Sequence, residues 1–269
     1  MDLAVAYRVY PGVSKTPIVH QNNKFLLAES AFRSLARSLE AVNAKIWVIL
    51  DGCPPEYRAA FSKWYPVERL VFIDTNRIGN AATFLLQGKI LMEQTEAEAV
   101  YFAEDDYAYA PGQFSKLLNF LRRGKDVDFI SPYDHPDYYS LPMHQVRTAT
   151  QEFEGHRWRS AASTCLTFLT TRSTLEKTWP LFKAYSEGAT DAATWLMLTK
   201  MGLLSPRRLL GSLRNWDEFT IYARAWKHGG FKTLVSPKYK LWVPVPGIAT
   251  HMESTGVAAG HDWKAYLRS

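Results

Sequence analysis

The chain has 269 residues, 47% hydrophobic and 22% charged, which is the make-up of an ordinary folded protein and excludes a disordered or collagen-like one. No apolar run approaches the roughly 20 residues that span a bilayer, and Cys53 and Cys165 offer neither a disulfide framework nor metal-ligand spacing. The net charge of +6 sits in small basic groups with no recognisable nucleic-acid module, so nucleic acid is not an expected partner; an anionic substrate or an anionic membrane surface is compatible with it.

The opening Met1-Asp2-Leu3-Ala4-Val5 has no basic stretch before its apolar residues, so no signal peptide is expected. A reducing cytoplasm, or the inner face of a membrane contacted peripherally, is the expected location. Leu3 to Tyr7 is a strand, Phe25 to Val42 a helix and Ile46 to Leu50 a second strand, followed by the Asp51-Gly52-Cys53-Pro54-Pro55 turn. A helix over Tyr57 to Trp64, a strand over Leu70 to Ile73, the loop Asp74 to Gly79 and a helix over Asn80 to Met92 lead into a fourth strand at Ala99. Strands alternating with helices predict an α/β fold with a mainly parallel central sheet flanked by helices, whose ligands bind at the carboxyl ends of the strands. No internal repeat or linker composition divides the chain, so one domain over 1–269 is expected.

The second half is less regular. A helix is predicted over Phe114 to Arg122 and a strand over Val127 to Ser131. A long loop over Pro132 to Trp158 follows, then a strand over Ala161 to Thr171. Helices are expected over Leu175 to Tyr185, Ala192 to Met201 and Asp217 to His228, with short strands at Thr233-Leu234-Val235 and Leu241-Trp242-Val243. From Pro244 onward helical signals are few until about Trp263.

The fourth strand, Ala99 to Ala103, ends in Glu104-Asp105-Asp106. Three adjacent carboxylates repel one another and need compensation, which a hard cation such as Mg²⁺ or Mn²⁺ shared with substrate phosphates supplies. In a continuing strand Glu104 and Asp106 face one way and Asp105 the other. The ordinary alternative is a solvated acidic turn. No glycine-rich G-x-G-x-x-G follows any strand, and no G-x-x-x-x-G-K-[ST] occurs, which disfavours nicotinamide and P-loop sites.

These residues together resemble a GT-A fold glycosyltransferase of the family-2 type, which uses nucleotide-sugar donors. The likeness rests on the element order, Asp51 in Ile49-Leu50-Asp51-Gly52, the Asn76-x-x-Gly79 loop and the acidic triplet; it covers residues 1–110 by motif and continues more loosely to about 253. It implies a Rossmann-like nucleotide-binding half (1–110) fused to an acceptor-binding half with a C-terminal tail (111–269). By the resemblance, Asp51 holds the base or ribose of a UDP-, GDP- or dTDP-sugar, and Asn76, Arg77 and Gly79 close over the base. Glu104, Asp105 and Asp106 take the place of the D-x-D element. Its last acid, Asp106, would hold Mn²⁺ or Mg²⁺ against the donor diphosphate, and Glu104 departs from the usual Asp. His251 in Ala249-Thr250-His251 matches a histidine that completes such a metal site, and imidazole favours Mn²⁺. Arg8, after the first strand, would be placed to contact the diphosphate.

Trp216-Asp217-Glu218, ahead of Arg224, resembles the acidic motif that supplies the catalytic base, with Asp217 or Glu218 in that role and Trp216 as a sugar-stacking residue. The order is reversed from the usual Glu-Asp, and helix-starting acids that complement the macrodipole explain the pair equally well. Asp191 is a rival base that also reads as a helix N-cap. The implied activity is metal-dependent, inverting transfer of a sugar onto a glycan or lipid-linked acceptor in polysaccharide biosynthesis. The alternatives are a sugar-phosphate nucleotidyltransferase, disfavoured because Arg8-Val9-Tyr10-Pro11-Gly12 lacks a glycine-rich basic pattern, and a non-catalytic sugar- or nucleotide-binding protein.

Overall fold

The computed structural model describes residues 1–13 and 16–268. Its first half alternates β1 (Leu3–Val9), α1 (Lys24–Ser38), β2 (Ala44–Asp51), α2 (Glu56–Ser62), β3 (Leu70–Thr75), α3 (Asn80–Glu93) and β4 (Ala99–Glu104). A short strand β5 (Tyr107–Tyr109), α4 (Phe114–Arg123), β6 (Phe129–Ile130) and α5 (Asp137–Ser140) come next. The hairpin β7 (Thr150–Phe153) and β8 (His156–Ala161) is followed by β9 (Phe168–Thr171) and the helices α6 (Arg172–Phe182) and α7 (Asp191–Thr199). Then come α8 (Pro206–Ser212), α9 (Trp216–Val235), β10 (Leu241–Val245), β11 (Ala249–His251) and α10 (Trp263–Arg268).

Nine strands form one sheet in the order β3-β2-β1-β4-β9-β6-β10-β8-β7, and β5 pairs with β11 outside it. The antiparallel pairings of β9 with β4 and β6, and of β8 with β10 and β7, reverse only β8 and β9, so the other seven strands run one way. The fold is α/β with a mainly parallel sheet.

All seven residues of β1 are buried, because the strand is covered on both faces. Its large residues Val5 and Tyr7 face α1 and α2, where Tyr7 meets Phe32 and Phe61 edge-on. Ala4 and Ala6 face the other side, where their small size lets α3 approach. There Gln87, fully buried on α3, donates from Nε2 to the Ala6 carbonyl at 2.7 Å and the Ala103 carbonyl at 2.9 Å, joining β1 and β4 from above. Gly88 beside it is required by packing, since a Cβ there would lie 1.9 Å from the Trp179 ring of α6.

Strand order reverses between β1 and β4: β1 leads outward to β2 and β3, and the chain then returns to the other side of β1. The carboxyl ends at that reversal form the crevice where α/β sheets bind ligands. In register, Arg8 of β1 pairs with Glu104 of β4 at its edge.

The structure departs from the sequence-based expectations at five places. The expected loop from Pro132 to Trp158 contains α5 and most of a hairpin, whose turn Glu154-Gly155 has φ of 48° and 71° at its two central residues. That is the geometry of a two-residue hairpin turn, and Gly155 was its signal. The expected strand at Thr233-Leu234-Val235 is helical: Gly230, at φ 43° and ψ −129°, kinks α9, and one further turn follows. Helix α8 was not anticipated, nor was the β5–β11 pair. The long strand expected over Ala161 to Thr171 is β9 alone at its far end, with β8 ending at Ala161.

Candidate active site

A cavity of about 440 Å³ lies over the carboxyl ends of β1, β2 and β4. Of the residues singled out from sequence, Arg8, Asp51, Arg77, Gly79, Glu104, Asp105 and Asp106 line it. Asn76 is exposed and does not.

The acidic triplet does not run on as a strand. β4 ends at Glu104, and each carboxylate turns to a different cation of the protein. Glu104 pairs with the Arg8 guanidinium and accepts from Thr167 Oγ1 at 2.7 Å. Asp105 accepts from Lys24 Nζ at 2.8 Å and the Tyr10 amide at 3.0 Å. Asp106 Oδ2 lies 3.1 Å from His251 Nε2. Much of the compensation that three adjacent acids require therefore comes from the chain itself. Lys24, at the start of α1, carried no motif in the sequence; it reaches Asp105 because the long connection after β1 brings α1 back over the crevice.

These pairings set the electrostatics. Burial works against the Arg8 charge, and the Glu104 carboxylate outweighs it, so the guanidinium is held firmly protonated. Burial raises the Asp105 carboxyl, and Lys24 only partly opposes it. Burial would also raise Asp106, but the His251 hydrogen bond, with Lys24 and Arg8 nearby, brings it below the usual carboxylate range. His251 is pushed down by burial and more than restored by Asp106, ending above its ordinary value.

His251 reaches Asp106 through backbone pairing. β11 runs antiparallel to β5 with His251 opposite Tyr107, and the Met252 amide donates to the Asp106 carbonyl at 2.8 Å. Two donors of the right chemistry thus face each other, a carboxylate oxygen and an imidazole nitrogen. Asp106 Oδ1 is buried with no hydrogen-bond partner, the vacant valence a cation would fill. Among the described residues no group of three or more His, Cys, Asp or Glu forms a ready-made metal centre. A cation here would thus draw its other ligands from substrate and water, as Mg²⁺ and Mn²⁺ sites with phosphates do.

Asp51 is 2% exposed, and its carboxylate organises the loop after β3. It accepts from the Ile78 amide at 2.7 Å, the Gly79 amide at 2.9 Å and Thr75 Oγ1 at 2.8 Å. Both oxygens are engaged by the chain, so the arrangement shapes the cavity wall. Arg77 crosses Gly52, where a Cβ would meet its Cγ at 2.4 Å. Asn80, unmarked in the sequence reading, accepts from Arg8 and donates to the Tyr185 hydroxyl at 2.9 Å.

The structure does not bring Asp217 and Glu218 to this cavity. They stand in the first turn of α9, whose N-terminus is capped by Asn215 Oδ1 accepting from their amides at 3.1 and 3.3 Å. Trp216 is 75% exposed. Asp191, at the start of α7, lies close enough to Glu104, Arg8, Tyr185 and Cys165 to interact electrostatically with all four. Thr190 supplies the side-chain cap of α7, with Oγ1 accepting from the Ala193 amide at 3.2 Å. Burial raises the Asp191 carboxyl above its ordinary value, and the Glu104 charge adds to that. Asp191 does not line the cavity either, but a carboxylate of raised basicity beside a charged crevice is the kind of group that removes a proton from a substrate.

No protein-family model matches the sequence, and no curated protein matches it. Among solved structures, similarity is found to the mannosyltransferase PcManGT from Pyrobaculum calidifontis in complex with GDP-Man and Mn²⁺. That likeness has 16% identity and a TM-score of 0.45, over 88% of this chain and 65% of that one. S. aureus TarS 1-349 is similar at 14% identity and a TM-score of 0.45, over 73% of this chain and 56% of that one. A CMP:2-keto-3-deoxy-manno-octonic acid synthetase complexed with CTP is similar at 13% identity and a TM-score of 0.41, over 79% of this chain and 86% of that one. At these identities and scores the likeness assigns no activity.

Proposed function

We propose that this chain is a GT-A-type glycosyltransferase that moves a sugar from a nucleoside-diphosphate donor onto a glycan or lipid-linked acceptor, with a divalent cation and inversion at the anomeric carbon. The observation that carries the reading is the crevice at the β1–β4 reversal. There Asp106, which has a buried unsatisfied carboxylate oxygen, lines one cavity with Arg8, Lys24 and the loop held by Asp51, and its partner His251 lines a smaller pocket that shares Asp106 and Lys24 with it. Loop amides and Arg77 would flank the base, and Arg8 and Lys24 would face the diphosphate. A cation held between Asp106 and His251 would neutralise charge on the departing diphosphate.

Asp191 is the base in this reading. It accepts the proton of the acceptor hydroxyl as that oxygen attacks the anomeric carbon, while the bond from that carbon to the diphosphate oxygen breaks and the nucleoside diphosphate leaves. Direct attack from the face opposite the leaving group inverts the centre. Lowering the barrier this way needs one positioned carboxylate and a stabilised leaving group, and the chain has residues for both.

UDP, GDP or dTDP with Mn²⁺ is expected to raise the melting temperature, because a ligand that binds the folded state stabilises it. Asp106→Ala is expected to remove the Mn²⁺-dependent part of the shift. A shift that persists intact in the variant rejects the metal assignment.

Contact with an anionic membrane belongs to the same reading. Residues 201–240 hold eight Lys and Arg against two acids, which equals the whole net charge of +6. Eight of the seventeen exposed large hydrophobic side chains among the described residues lie there too, Leu210, Leu213, Trp216 and Phe231 among them. No helix of the described residues is long and apolar enough to cross a membrane. Exposed apolar side chains amid cations suit the interface of an anionic bilayer. The chain is expected to co-sediment with vesicles containing phosphatidylglycerol and not with pure phosphatidylcholine. Leu210→Glu with Phe231→Glu should abolish this; equal binding to both vesicle types would rule out the electrostatic part.

A further inference from the structure

A second cavity, of about 340 Å³, lies on the far half of the sheet. Its floor is one face of the β7–β8–β10 ladder. Register sets Thr150 opposite Arg159, and Val245 opposite Arg157. The two arginines, two residues apart on β8, therefore stand on the same face. Trp158 between them points the other way and stacks on Phe120 at 3.8 Å. The wall is built by Tyr138, Tyr139 and His144 from the segment before the hairpin.

Three features mark this as a built site. The Arg159 guanidinium lies over the rings of Tyr138 and Tyr139 at 5.2 and 5.0 Å, which fixes its plane, while its buried Nε makes no hydrogen bond. His144 is only 8% exposed, and its Nδ1 is also buried without a partner. No carboxylate lines the cavity among the described residues. Two acids stand near it: Asp134 accepts from the Tyr139 hydroxyl at 2.7 Å and lies close enough to Arg159 for their charges to interact, and Glu152, exposed, stands opposite Arg157 across the hairpin on the same face. Both unpartnered atoms are enclosed by protein beside the cavity, where they cost stability.

We propose that this cavity binds an anionic sugar, a single pyranose carrying a phosphate or a carboxylate. The arginines take the oxyanion, for which two adjacent guanidinium groups are well suited. His144 takes a ring hydroxyl. Burial, with the His135 and Arg159 charges nearby, lowers its pKa to about 4, so the imidazole is neutral near pH 7 and suits a hydroxyl better than a second anion. The volume is at the small end for ligand pockets, enough for one ring and its charged group. Binding here does not depend on the transferase reading and can be measured without nucleotide or metal.

The test is calorimetric titration of the full chain with glucose 6-phosphate, glucuronate, glucose and inorganic phosphate, at low and high salt. At least one anionic sugar is expected to bind more tightly than glucose and inorganic phosphate by about tenfold or more, and to weaken with salt. Whichever anionic sugar binds identifies the charged group. Arg157→Ala, at an exposed position, is expected to weaken binding about tenfold with the melting temperature and the nucleotide-induced shift unchanged. His144→Gln should weaken both the phosphate and the carboxylate ligand. Absence of binding by both anionic sugars, binding of glucose or inorganic phosphate with equal affinity, or binding unchanged in Arg157→Ala would overturn the proposal. Loss of the nucleotide shift in the unmodified chain would instead count against the transferase reading alone.

Discussion

Asp191→Asn is expected to lower the turnover of sugar transfer by about 10²–10⁴-fold, the usual contribution of a positioned general base, while nucleotide and metal binding are retained. The effect should fall on kcat, because the proton is taken only in the transition state. In the unmodified chain, transfer should rise with pH through a pKa above the ordinary carboxylate value of 3.8, since burial and the Glu104 charge both raise Asp191. A carboxyl whose folded pKa exceeds its unfolded one binds its proton more tightly when folded. It therefore lowers stability as pH rises from 3.8 through the folded value. Asp191→Asn removes that burden and keeps an acceptor for the Ala192 amide, which Asp191 Oδ1 now receives at 3.0 Å. The variant should accordingly melt higher than the unmodified chain at neutral pH, with the difference vanishing below the unfolded pKa. A base is thus distinguished from a merely structural acid by losing activity while gaining stability. If transfer instead fails in Asp217→Asn or Glu218→Gln and survives in Asp191→Asn, the base lies on α9.

The second large effect is expected at Asp51. Asp51→Ala removes the acceptor for two backbone amides and one hydroxyl, a loss of about 3 kcal/mol. In a chain of this size that lowers the melting temperature by roughly 6–12 °C. The loop from Thr75 to Gly79 loses its anchor, so the nucleotide-induced shift should fall as well. Asp51→Asn retains one acceptor oxygen and should cost about half as much. Thermal melts of both variants with and without UDP and Mn²⁺ measure this. A stable Asp51→Ala that had lost only nucleotide affinity would mean that the carboxylate touches the ligand directly.

The first half was legible because its physics is local and repetitive. Leu3 to Tyr7, Ile46 to Leu50 and Ala99 to Ala103 are apolar runs of strand length between amphipathic helices, and such order leaves few topologies. The polar residues closing those strands were placed by the same rule. Which partner each would meet was not legible, since Lys24, Asn80 and Thr167 reach the crevice by tertiary packing and carry no spacing signal. In the second half, the helix expected over Asp217 to His228 instead runs on through Gly229 and resumes after one kinked residue, Gly230. The stretch from Pro132 to Trp158 reads as a loop in the sequence because its strands, Thr150–Phe153 and His156–Ala161, alternate too weakly to stand out. Asp191 and Asp217 both open helices in the sequence. Burial separates them, and burial is a property of the assembled fold.

Gln87 carries a consequence for how such a crevice can adapt. Its amide tethers α3 to the carbonyls of Ala6 and Ala103, two positions short of Arg8 and one short of Glu104. The seam beneath the Arg8–Glu104 pair is thus stitched on its concealed side as well as along its edge. Adjustment to a cargo of different size must then come from the rim, the Arg77–Gly79 bend foremost, while the ground under Arg8 and Glu104 stays still.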